Sequence, residues 1–273
     1  MKKIIVALDG LKLSESSVQT AVALTAREKA HLVGVFLDDF THNSFSIATA
    51  MENNDLDARM QKDKQIRDNA VKEFETACQS GGINFTVRRD KSFALPDLLR
   101  ESIYADLLII SAEESFTRFP EPAPTRFIRD LLSEVQCPVL IAPLKWQPLE
   151  KTVMLYDGAP SSVYAIKMFS SILPETNKLP ATVITVRGDE NHHVPEHQLM
   201  KEFMKRHNPG AEYAVLQGDA ENAILDELIK NDSRTLVVLG AYQRSTVSRW
   251  FRASMADLLM KSIPCALFIA HNK

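Results

Sequence analysis

Seventeen consecutive residues, Gly240 to Ala256, contain no acidic side chain but three arginines, Arg244, Arg249 and Arg252. Counted by ionisable type, this stretch carries about +3. It runs from a glycine that closes an apolar run into the start of a helix at Ala253-Ser254-Met255. Unpaired N–H groups at a helix start, backed by guanidinium groups, are suited to an anion such as a phosphate. A second kind of chemistry sits at Asp9-Gly10 and Asp157-Gly158, where a carboxylate follows an apolar run. Such an Asp can hold a ligand hydroxyl or amine, or it can cap the next helix through backbone N–H groups. The residue types leave both readings open.

These residues need strands and helices to position them, and the chain supplies the same plan twice. Ile4 to Leu8 is a β-branched apolar run, followed by Asp9-Gly10 and by Val18, Ala21, Val22 and Leu24 at helical spacing. Thr152 to Tyr156 repeats the run before Asp157-Gly158, 148 positions after Asp9-Gly10. Second strands are expected at His31 to Leu37 and at Ala181 to Val186. Their last residues are 149 positions apart. Leu107 to Ser111 corresponds to Leu236 to Gly240, each strand preceded by an amphipathic helix. Pro138 to Ala142 corresponds to Pro264 to Ala270, with the prolines 126 positions apart.

Apolar strands alternating with helices predict a parallel sheet covered on both faces. The expected fold class is therefore α/β, with two tandem doubly wound, Rossmann-like domains spanning 1–145 and 150–273, joined through the proline-bearing segment Lys145 to Leu149. A long helix is expected from Asp55 to Ser80, ended by Gly81-Gly82. Its counterpart, from about Pro195 to His207, is roughly half as long.

Ligands of open α/β sheets bind outside the carboxyl ends of the strands, where strand order reverses. In the second copy this rule selects Tyr156 and Asp157, Val186 and Arg187, Gly240 to Gln243, and Ala253 to Met255.

The order of these elements, the strand-ending Asp9 and Asp157, the ILDELIK and ADLLIIS segments and the closing strands after Pro138 and Pro264 resemble the universal stress protein family in tandem form. The resemblance implies an adenine nucleotide alpha hydrolase-like fold, pairing of the two closing strands in an intramolecular pseudo-dimer, and a regulatory role without catalysis. It also implies an ATP or AMP site in which the first strand's Asp and the end of the second strand hold ribose and adenine. Phosphates are then held by a motif of Gly, two residues, Gly, nine residues and Gly-Ser. Carried over, the second copy keeps Tyr156, Asp157, Val186, Gly240, Arg244, Ala253, Ser254 and Met255 as nucleotide-binding candidates. Gln243 and Ala253 stand where glycines belong, and Gln impairs the close approach of backbone to an anion. In the first copy, Ser111 to Pro124 has no glycine, three carboxylates and three prolines. Carboxylates repel phosphate and prolines remove donors, so no nucleotide is expected there. The alternatives are a protein-interaction module that needs no nucleotide and a slow ATPase.

Other chemistry is weakly encoded. His193 and His197 share a helical spacing, but Pro195 lies between them and no metal-ligand motif is present, so no metal is expected. Trp250-Phe251 could stack on a base or anchor the loop. The cysteines, Cys78, Cys137 and Cys265, are distant in sequence and odd in number, which fits buried small side chains in a reducing cytoplasm. Thirty-two basic against thirty-five acidic residues give a net charge of −3, which disfavours nucleic acid as the main partner. No uncharged run approaches the ~18 residues of a membrane span, and the short apolar start ends at Asp9, so neither membrane nor secretion is expected. An unidentified regulatory protein is the expected partner, and further homodimerisation is left open.

Overall fold

The computed structural model describes residues 1–37, 56–90, 93–117, 119–188, 193–241 and 253–271. It forms two compact units, Met1–Gln136 and Cys137–Lys273.

In the first unit, β1 (Lys3–Asp9), β2 (His31–Leu37), β3 (Asn84–Asp90) and β4 (Leu107–Ser111) form a parallel sheet in the order β3-β2-β1-β4. Helices α1 (Glu15–Glu28), α2 (Leu56–Ser80), α3 (Ala94–Ser102) and α4 (Arg126–Glu134) complete it. The run Ile4 to Leu8 is buried throughout, as a strand covered on both faces must be. Two short-range devices turn the chain from β1 into α1. Asp9 Oδ1 accepts the Leu11 N–H at 2.7 Å, and the Ser14 hydroxyl caps the helix by accepting the Ser17 N–H at 3.3 Å. The long α2 holds its register through Phe74, fully buried edge-to-face against Phe36 and Phe85.

The second unit contains β5 (Val139–Ala142), β6 (Lys151–Leu155), β7 (Ala181–Arg187), β8 (Glu212–Gln217), β9 (Thr235–Gly240) and β10 (Ala266–Ala270). Its helices are α5 (Pro160–Ile172), α6 (His197–His207), α7 (Ala220–Leu228) and α8 (Ala253–Ser262), with a 3₁₀ turn at Thr176–Lys178. Strand order is β5-β10-β9-β6-β7-β8. All pairings are parallel except β5 with β10, where Leu267 faces Ile141 in an antiparallel ladder. The closing strand of the first repeat thus pairs with the closing strand of the second. For this reason the compact units divide before β5, upstream of the Lys145 to Leu149 segment that reads as a junction in the sequence. Phe169 of α5 and Phe268 of β10, both fully buried, meet edge-to-face at 5.5 Å. Helix α6 begins at His197, two residues later than the periodicity suggests. Among the described residues no helix is long and apolar enough to cross a membrane.

Candidate functional site

In the second unit β6 leads through α5 to β7 on one side, while β9 leads through α8 to β10 on the other. Their parallel pairing, with Met154 opposite Val238, makes the carboxyl ends of β6 and β9 the point where strand order reverses.

Gly240 ends β9 under the first turn of α5. A Cβ there would lie 2.6 Å from the Ser161 carbonyl carbon and 3.0 Å from the Ser162 nitrogen, so only glycine lets the helix start settle on the strand end. Helix α5 opens with Pro160, and its N-cap, Ala159, has no side chain able to bond the free N–H groups. Asp157, two residues upstream, ties down the entry to the helix instead. Its Oδ1 accepts the Ala159 N–H at 2.9 Å and lies 2.8 Å from Ser162 Oγ, whose hydroxyl is equally close to the Ala159 carbonyl. These contacts hold Asp157 against the N-cap residue and a hydroxyl of the first turn of α5. The Ser161 hydroxyl is buried at the same helix start, with no hydrogen-bond partner among the described residues.

Tyr156 is buried, and its phenol donates to the Pro195 carbonyl at 3.1 Å. Burial above all, then the charges of Glu196 and Asp157, raises the phenol above its ordinary range. The same Pro195 covers Gly158, whose φ is +84°; a Cβ on Gly158 would come within 2.7 Å of the Pro195 ring. Val186, opposite Leu216 in the β7–β8 ladder, has no exposed surface. Met255 is likewise fully buried on α8, which opens at Ala253 and continues through Ser254. The fold therefore gathers Tyr156, Asp157 and Gly240 at the adjoining carboxyl ends of β6 and β9, sets Val186 near the end of the next strand, and gives Met255 to the core. Arg244 lies outside the described residues, with Gln243, Arg249, Trp250, Phe251 and Arg252.

The first unit fills the equivalent place differently. Ile4 pairs with Leu107 as Thr152 pairs with Leu236, which makes Ser111 the counterpart of Gly240, and Glu114 follows three residues past Ser111. The Glu114 carboxylate points inward. Only 8% of the residue is exposed, and Oε1 accepts the N–H groups of Ser115 and Phe116, each at 3.0 Å. The Glu114 carbonyl accepts the hydroxyl of Thr125, which also caps α4. Burial, then the neighbouring Asp9 charge, pushes the carboxyl up to about 7, against the opposing pull of the two N–H groups and Lys12. In the sequence Glu113 and Glu114 are two adjacent acids; the structure separates an exposed one from one that uses up the loop's own main-chain donors.

His193 and His197 stack with ring centroids 4.7 Å apart. Burial, then Lys201 and His193, holds His197 below the ordinary histidine range. Among the described residues no group of three or more His, Cys, Asp or Glu could hold a metal ion.

No protein-family model and no curated protein matches the chain in sequence. Solved structures do match it in shape. A universal stress protein from Archaeoglobus fulgidus DSM 4304 superposes with a TM-score of 0.72 at 13% identity, covering 99% of this chain and 98% of that one. A functionally unknown protein from Pseudomonas aeruginosa PAO1 gives 0.59 at 14% identity over 99% and 92%. A candidate universal stress protein from Pseudomonas aeruginosa UCBPP-PA14 gives 0.59 at 13% identity over 99% and 93%. At these identities the likeness is one of architecture: over its full length, this chain has the universal stress protein fold.

Proposed function

We propose that the chain is a non-catalytic universal stress protein, acting in the cytoplasm as a regulator whose second unit alone binds an adenine nucleotide, ATP or AMP. One observation carries this reading. The two copies differ at the strand-order reversal: Gly240 brings a helix start whose buried Ser161 hydroxyl has no partner among the described residues, while the first unit sets the Glu114 carboxylate on the loop after β4. A carboxylate there opposes a phosphate; a helix start favours one.

Calorimetric titration of the purified chain with ATP and AMP tests the reading. Binding should occur at one site per chain, weaken in Asp157→Ala and Ser254→Ala, and persist in Ser111→Ala. Absence of heat at millimolar nucleotide, or equal losses from both units, would reject it.

A second reading has its own support. Asp157 is already bonded to the chain entering α5, and Pro195 already covers Gly158, as expected of a protein-interaction module that needs no nucleotide. Failure to bind nucleotide selects this reading. Phosphate release above background would instead select a slow ATPase.

A further inference from the structure

Among the described residues, each unit's sheet has an outer parallel strand with a strand neighbour on one side alone: β3 in the first and β8 in the second. An open strand edge offers unpaired N–H and C=O groups to any second strand, and proteins commonly guard it with charge. The two edges can be compared residue by residue. In the first unit Asp9 pairs with Leu37, Val35 with Arg88 and Phe36 with Arg89. In the second, Leu155 pairs with Ile184, which sets Asp157 level with Val186 and makes Leu37 and Val186 equivalent. Ile184 then pairs with Ala214, and Thr185 with Val215. The positions of Arg88 and Arg89 on the first edge are therefore Ala214 and Val215 on the second.

The two arginines face opposite sides of β3, as successive strand residues must, and each is held in place. Arg88 pairs with Glu101, and Arg89 NH1 lies 2.8 Å from Asp68 Oδ1. A second copy of β3 laid on this edge would set guanidinium groups close to guanidinium groups. The β8 edge has no such barrier. Tyr213 to Leu216 are uncharged and half-buried, and Glu212 is the strand's single ionisable carboxylate.

We infer that β8 is a homodimerisation edge, pairing antiparallel with β8 of a second copy. The sequence of the strand favours a copy of itself. A two-fold axis through Ala214 or Val215 places Glu212 opposite Leu216 or Gly218 of the second copy, never opposite Glu212. It also brings each Glu212 toward the end of the sheet where the adjacent β7 finishes in Arg187. Apolar cross-strand pairs at the centre and separated like charges at the ends are the requirements of a stable antiparallel pair. Main-chain bonds would supply the affinity, as in other strand-addition complexes.

Sedimentation velocity on the full chain across the micromolar range tests this. The unaltered protein should sediment at twice the chain mass. Ala214→Arg with Val215→Arg, which rebuilds the first unit's guard, should sediment at the chain mass with unchanged circular dichroism. Should that variant fail to fold, amide hydrogen exchange in the unaltered chain provides the second measurement: protection of 212–217 should rise with protein concentration. A unaltered chain that stays monomeric, a folded double variant that still dimerises, or protection independent of concentration would each overturn the inference.

Discussion

The Glu114 carboxylate accepts the main-chain N–H of Phe116 at 3.0 Å, so a loop that would otherwise face a ligand with free donors is bonded to its own side chain. Phe116 takes a positive φ of 51° to make the turn, and its ring packs edge-to-face on Phe127 at 4.8 Å. The acid is thereby sealed within the loop, 8% exposed.

That seal makes stability depend on pH. The folded carboxyl ionises near 7 and the unfolded one at its ordinary 4.5, so the folded state binds the proton more tightly. Its contribution is fully present below the unfolded value and is lost as pH rises toward 7, by on the order of 3 kcal/mol. Glu114→Gln keeps the acceptor oxygen and removes the titration. Urea unfolding at pH 5 and pH 8 should show a smaller loss of stability in the variant than in the parent. Parallel slopes for the two proteins would refute this assignment.

Gly240→Ala should destabilise the second unit, because its Cβ meets main-chain atoms of Ser161 and Ser162 that cannot swing away. Overpacking of this kind costs about 1–3 kcal/mol. Gly188→Ala, with nothing within 4 Å of the added carbon, is the control and should leave the thermal midpoint where it was.

Asp157→Ala should cost about 1–3 kcal/mol of stability through loss of its bonds to Ala159 and Ser162, whether or not a nucleotide binds. Asp157→Asn keeps an acceptor oxygen at the same reach and should recover most of that loss. Chemical denaturation without ligand measures both, and separates the structural role from any effect on affinity.

Cys78 and Cys265 are buried, and desolvation pushes each thiol up to about 12. At pH 8 neither should react with a thiol-specific disulfide reagent on the timescale of an exposed cysteine. Both should react promptly in denaturant. Rapid modification of the native chain would show that these sites open far more readily than their packing implies.

The repeated architecture is legible in the sequence because β1, β2, β6, β9 and β10 each contain a run of apolar residues, and burial on both faces demands that pattern. The edge strands are less plain. Asn84 to Asp90 mixes two arginines with Phe85 and Val87, since an edge needs only half of its surface covered. The carboxyl ends of β6 and β9 are predictable from the doubly wound order, and Tyr156, Asp157 and Gly240 do converge there. What each residue does is harder to read. Asp in this position has the same spacing whether it caps or binds, and only the partners of Oδ1 distinguish the two. The Glu114 main chain is held by Thr125, eleven residues later, and its carboxyl is raised by the charge of Asp9 from another strand. No local pattern carries that information.

The antiparallel ladder between Val139–Ala142 and Ala266–Ala270 has a consequence for the origin of the molecule. Heredity and folding draw their borders in different places, because a strand copied with the first half completes the sheet of the second. Cutting the polypeptide at its proline-bearing middle would strip the downstream fragment of its outermost strand and bare the greasy flank of the next. The halves can diverge in chemistry, as their crevices have, but neither can be traded away as a free-standing cassette.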